Sequence, residues 1–161
     1  MRRIPNIQIE NAEVLPGTFR NFSGKPGKYN RNGDRNFNII ITDHKFAQQL
    51  IDDGWNVRIL PPRNDDEEAR YRLQITVNMK TVEGVPPTKV FTYTGNKKLQ
   101  LTEETIGTLD WANYKYADLT IHPRVWIDDD GSEHVKAYLR EMHVVIEPDK
   151  WAEKYAHYEE E

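Results

Sequence analysis

Between residues 19 and 37 the chain reads FRNFSGKPGKYNRNGDRNF. Four rings, Phe19, Phe22, Tyr29 and Phe37, stand among Arg20, Lys25, Lys28, Arg31 and Arg35, with Asp34 the single opposing acid. Cations at short spacing neutralise a phosphate backbone, and rings between them offer faces on which unpaired bases stack. Gly24, Gly27 and Gly33 would let such a loop follow an irregular strand. The competing account is a solvated hairpin loop whose rings tuck into a core. For Phe37, followed by NIII, the core account wins. Phe19 and Phe22 are balanced between the two, and Tyr29 is expected in the open. Arg20, Lys25, Lys28, Arg31 and Arg35 are the expected phosphate contacts, with Phe22 and Tyr29 as the stacking rings.

A second basic and aromatic group follows in KVFTYTGNKKLQ, which contributes Lys89, Phe91, Tyr93, Lys97 and Lys98 around a turn. Lys89, Phe91 and Tyr93 share one face of their strand by period-two alternation. If that face is outward it is a platform, and if inward it is core. Arg72 and Arg124 are weaker candidates to extend the same track.

Catalytic and metal-binding patterns are sparse. His44, His122, His134, His143 and His157 share no ligand spacing. Asp128 and Asp130 in IDDDGSE precede Gly131, but the twelve-residue calcium-loop spacing and its final glutamate are missing, so a polar hairpin turn is expected. No phosphate-binding glycine pattern or nucleophile elbow occurs. The chain is expected to perform no reaction and to need no cofactor and no metal.

The elements that must position these residues alternate mostly with period two. IQIENAEVL reads as one first strand with Ile7 and Ile9 on a face. FNIIIT places Phe37, Ile39 and Ile41 inward, and WNVRIL places Trp55, Val57 and Ile59 inward. In YRLQITVNM, Tyr71, Leu73, Ile75, Val77 and Met79 oppose Arg72, Gln74, Thr76 and Asn78. KVFTY, ADLTI and VKAYLREMHVVIE complete the set. In the last, the apolar phase changes between Leu139 and Met142, which predicts a β-bulge near Arg140–Glu141. TDHKFAQQLIDDG predicts a helix burying Phe46, Ala47, Leu50 and Ile51, capped by Thr42 or Asp43 and stopped at Gly54. A short helical turn is expected from Thr102, and turns at Pro61–Pro62, Gly84 with Pro86–Pro87, Gly95–Asn96 and Asp130–Gly131. PDKWAEKYAHYEEE, with Trp151, Tyr155 and Tyr158 on one stripe, predicts a C-terminal helix. The fold class is mainly β, a small curled β-barrel of about seven strands with one inter-strand helix and a C-terminal helix; a β-sandwich is the alternative.

The chain has 161 residues, no cysteine and a net charge of −4. Disulfides and thiolate zinc sites are therefore excluded. No apolar run approaches the roughly 20 residues of a membrane helix, and MRRIPNIQIENAEV lacks the apolar stretch of a secretory signal, so a cytoplasmic chain is expected. Residues 147–161 hold six acids against two lysines, which accounts for the whole net charge. The rest is close to neutral, so positive charge gathered at residues 20–35 is segregated rather than diluted. The expected organisation is a nucleic-acid-binding β domain over 1–147 and an acidic amphipathic tail over 148–161.

The run GKYNRNGDRNFNIII, then a short helix and DDGWNVRILPPR, resembles a family of short phage and prophage single-stranded-DNA-binding proteins of the OB-fold kind. The resemblance extends over ETIGTLDWANYKYADLTIHP and VKAYLREMHVVIE. It implies a phage replication or recombination accessory, without a cofactor, that binds single-stranded DNA in the cytoplasm of a bacterial host. Glu159, Glu160 and Glu161 would then bind replication or recombination proteins or compete for the basic groove, with self-association left open. The rival reading is a phage protein-interaction module, or inhibitor of a host machine, acting through Asp65–Glu68 and the terminal glutamates.

Overall fold

The computed structural model describes residues 4–28, 30–80 and 85–147. Tyr29, the turn at Gly84 and the whole expected tail from Pro148, with His157 and Glu159–Glu161, lie outside the described residues. Ten strands form one mixed sheet: β1 (Ile7–Ile9), β2 (Glu13–Val14), β3 (Arg20–Asn21), β4 (Arg35–Ile41), β5 (Val57–Leu60), β6 (Arg70–Val77), β7 (Lys89–Thr94), β8 (Lys97–Gln100), β9 (Tyr114–Ile127) and β10 (Glu133–Ile146). One helix, α1 (His44–Asp52), separates β4 from β5, and a 3₁₀ turn at Ile106–Asp110 precedes β9.

The main path of hydrogen-bonded neighbours is β1-β9-β10-β6-β4-β2. Among the described residues its ladder does not close, and ten strands stand in place of the expected seven or so. The first strand is divided: Asn11 turns into the left-handed region at φ 53°, so β1 pairs with β9 while β2 pairs with β4. Short polar residues tolerate this conformation best. Only Glu10 to Ala12 separate the two edge strands, a reach of at most about 14 Å from Ile9 to Glu13. Six flat strands would set the edges about 24 Å apart, so the sheet has to curl.

Alternation builds the core as the sequence predicts. Phe37, Ile39 and Ile41 of β4 face Leu73, Ile75 and Val77 of β6, and all are buried. On β10, Val135, Ala137 and Leu139 point inward, then Met142 and Val144. The register with β9 shifts between Leu139 and Glu141, which is the expected bulge with Arg140 as the extra residue. Without it, one half of a 14-residue strand would turn its apolar set to solvent.

Helix α1 buries Ala47 and Leu50 and is capped by Asp43, whose carboxylate accepts from the backbone N–H of Lys45 and Phe46. The Asp128–Ser132 turn joins β9 to β10: Asp128 accepts from the N–H of Asp130 and Ser132, and Gly131 takes φ 83°. His134 lies 2.6 Å from the same carboxylate, and this hydrogen bond chiefly holds Asp128 below the usual carboxylate range. One expectation fails at β5. Ile59 is exposed rather than buried, although its register with Tyr71 puts it on the inward side; among the described residues β5 pairs with β6 alone.

Candidate nucleic-acid interface

The outward residues of β4 and β6 are Asn36, Asn38, Arg72 and Gln74, set side by side by the register Asn36↔Thr76 and Asn38↔Gln74. They floor a cleft of about 1130 Å³. Phe19 and Trp111 are its rings, and Arg20, Lys25, Lys28, Arg58 and Arg72 its cations. Asp110 is the one acid in the lining among the described residues.

That acid is already engaged. The Asp110 carboxylate accepts from the backbone N–H of Phe22 and Ser23 and from Ser23 Oγ at 2.6 Å. It thereby ties the loop after β3 to the 3₁₀ turn that carries Trp111, so both walls of the cleft are held by one group. Gly24 is required here. It takes φ 75°, and a Cβ would come within 3.1 Å of the Gly33 backbone. Asn21 and Asn30 complete the loop: the Asn21 side chain accepts from the N–H of Gly24 and Lys25, and Asn30 donates to the carbonyls of Lys25, Arg31 and Asp34.

The structure divides the expected loop residues. Phe22 is a correction: it is fully buried and stacked on Phe37 at 4.9 Å, so no face of it is open to a base. Arg20 borders the cleft, but its guanidinium donates to the carbonyls of Leu15, Leu109 and Ala112 and lies 4.0 Å from the Tyr114 ring centre. Burial, offset in part by Arg20, pushes the Tyr114 phenol above its ordinary range; its hydroxyl donates to Leu109 O. Arg35 donates to the carbonyls of Phe22 and Ser23 and faces Glu103 at 3.8 Å. Both arginines brace the loop. Arg31 is exposed but outside the cleft lining, whereas Lys25 and Lys28 stand exposed on its rim.

The cleft's leading ring went unanticipated. Trp111 is 76% exposed, and Lys25 Nζ sits 4.8 Å from its ring centre. Phe19, 40% exposed, has the Arg72 guanidinium 5.1 Å from its ring. Arg58 and the amide floor were also missed. Their signal was the polar half of the strand alternation, of which Gln74 was read as the face opposite the core and Arg72 as a weaker candidate for the track.

The second group lies elsewhere. None of Lys89, Phe91, Tyr93, Lys97 and Lys98 lines the cleft. Phe91 and Tyr93 are half-buried on the outward side of β7, since Val90 between Lys89 and Phe91 is the buried neighbour. Phe91 stacks on His143 at 5.1 Å, and Tyr93 Oη is 2.8 Å from His143 Nδ1. Arg124 is exposed on β9 across from Lys136. Among the described residues no three acids or histidines gather as a metal site, and no helix is long and apolar enough to cross a membrane.

A family model described as "Putative phage ssDNA-binding domain" matches residues 1–160. No curated protein matches the sequence significantly. Among solved structures, the single-stranded DNA-binding protein from bacteriophage Enc34 is similar with a TM-score of 0.53 at 10% identity, over 89% of this chain and 82% of that one. The same phage protein in complex with ssDNA gives 0.51 at 10% identity, over 89% and 88%.

Proposed function

The chain belongs to the phage ssDNA-binding domain family, whose model spans residues 1–160, and on that premise we propose that single-stranded DNA lies in the cleft between Trp111, Phe19 and the polar face of β4 and β6. The observation that carries this reading is the pairing of open rings with cations over an amide floor, where the Asp110 carboxylate is already engaged. Lys25, Lys28, Arg58 and Arg72 meet phosphates, and Trp111 and Phe19 stack bases. The protein holds unwound strands for phage replication or recombination inside the host and performs no reaction on them.

The topology supports the same reading. With β1 and β2 counted as one interrupted strand, the order is consistent with an OB-like reading: β4 is second, β6 third, β9 fourth and β10 fifth, with β6 and β10 parallel. Oligonucleotides characteristically bind an OB fold across strands two and three and the loop before them. Here those are β4, β6 and the loop that carries Lys25.

The test is fluorescence anisotropy with a labelled oligothymidine of about 30 nucleotides and the matching duplex, over a salt series. Single-strand binding should weaken steeply with salt, by a slope of about 0.7 per phosphate contact, and duplex binding should be at least roughly tenfold weaker. Trp111→Ala should cost about 1–3 kcal/mol, roughly 5- to 150-fold in affinity. Lys25→Glu should lower the salt slope as well as the affinity. Wild-type affinity in both variants would sink the cleft assignment.

A further inference from the structure

Outside the cleft, the pairing of a lysine with a ring recurs on one face of the sheet. Lys136 Nζ lies 5.3 Å from the Tyr138 ring centre, and Lys98 Nζ lies 4.7 Å from that of Phe91 and 5.8 Å from that of Tyr93. Lys25 over Trp111 and Arg72 over Phe19 are the same arrangement inside the cleft. A lysine resting on a ring covers a face that no apolar group has claimed, and a small swing would carry it to a phosphate and uncover that face.

Register shows that the two places are one surface. Asn21↔Asn36, Asn36↔Thr76 and Thr76↔Tyr138 are direct partners, so a single cross-strand row runs from the cleft floor to Tyr138. Directly paired residues share a face. The residues that alternate with them, Ile75, Val77, Ala137 and Leu139, are buried, which places the whole row outward. Beyond the bulge the outward set of β10 continues as Glu141, His143 and Val145, paired with Lys89, Phe91 and Tyr93 of β7. Two strand spacings separate Asn36 from Tyr138, about 10 Å, and about 13 Å more along β10 reaches His143.

The charge on this route favours a polyanion. Lys89, Lys98, Lys136 and Arg140 are exposed along it. Among the described residues the two acids beside it are occupied: Glu141 lies 3.2 Å from His143 Nε2, and Asp118 accepts from the N–H of Asn11.

We propose that single-stranded DNA too long for the cleft leaves it along the Asn36–Thr76–Tyr138 row and continues over β10 to the β7–β8 hairpin. There Lys136 and Lys98 exchange their rings for phosphates, and Tyr138 and Phe91 receive bases. This rests on the cleft reading, because the row begins at the cleft floor.

The experiment compares oligothymidines of roughly 8 and about 30 nucleotides on the full chain, the shorter within the site size of one OB fold. Lys98→Glu with Lys136→Glu, both surface changes, should weaken the longer oligomer about tenfold and leave the shorter unchanged. The salt slope for the longer one should fall by about 1.4, two phosphate contacts' worth. Phe91→Ala should reproduce the length-selective loss in a variant that keeps every charge. Unchanged affinity for the longer oligomer overturns the proposal and leaves this face to a protein partner. Equal loss at both lengths also overturns it, since that is the signature of a general field. Trp111→Ala separates the two readings: it should weaken both lengths, and if it weakens neither, the cleft assignment fails and the continuation with it.

Discussion

Phe22 and Trp111 show how much a single side chain's surroundings decide. Both are aromatic, and Asp110 touches the backbone of one and is the chain neighbour of the other. Phe22 has no exposed surface and stacks on Phe37, so its contribution is to folding. Phe22→Ala should destabilise the protein by about 3–5 kcal/mol through lost burial and the cavity left behind, measured by chemical denaturation. Trp111→Ala removes a mostly exposed ring and should leave the unfolding midpoint nearly unchanged while affinity falls. If Phe22→Ala unfolds at the wild-type denaturant concentration, its core role is wrong. Arg20 and Arg35 follow the same logic, for a guanidinium already donating to backbone carbonyls has little left for a phosphate.

At the scale of the element, β10 carries most of the consequence. It pairs with β9 over its length and with β6 and then β7 on its other side. One extra residue, Arg140, keeps Leu139 and Met142 both inward. Deleting Arg140 alone would leave only Glu141 between Leu139 and Met142, so strict alternation would keep both apolar sets inward without a bulge, and the variant should unfold cooperatively. Deleting Arg140 and Glu141 together would make Leu139 and Met142 adjacent and turn either the Val135–Leu139 set or the Met142–Val144 set outward; the expected outcome is loss of the cooperative unfolding transition, read by circular dichroism. Arg140→Ala preserves the residue count and should unfold cooperatively near the wild-type temperature. A wild-type-like double deletion would show that the apolar phase is not what holds this strand.

For the whole molecule, the curl of the sheet concentrates at Asn11. This residue lets one short segment serve both edges: Ala12 N–H donates to Ala117 O on the β9 side at 2.7 Å, and Leu15 N–H donates to Asn38 O on the β4 side at 2.9 Å. With φ at 53°, a β-branched residue is strained there and glycine is not. Asn11→Val should cost about 1–2 kcal/mol in thermal or chemical unfolding, while Asn11→Gly stays within a few tenths of the parent. Equal stability of the two would mean that the corner relaxes easily. Charge is arranged at this scale as well. A chain with net charge −4 still places, among the described residues, five cations and a single engaged acid around its cleft. A salt series reads that local field, which the overall charge does not describe.

By itself the sequence determined what depends on near neighbours. Period-two alternation marked the inward faces of β4, β6 and β10, the phase change at Arg140 marked the bulge, and Asp43 marked the start of α1. These follow from sterics and hydrogen bonds spanning a few residues, so composition and spacing carry them. The gathering of Lys25 and Lys28 in one loop was equally legible. Tertiary structure alone decided which rings remain open and which cations remain uncommitted. Trp111 meets Lys25, and Arg72 meets Phe19, across long stretches of chain. Arg20 is diverted to carbonyls on the far side of the 3₁₀ turn. The mainly β class was legible, but the count of about seven strands was not, for the same reason: where a ladder ends is set by the long-range pairing of β1 and β2 with different partners. Long-range pairing is chosen by what the folded core can bury, and no local pattern records that choice.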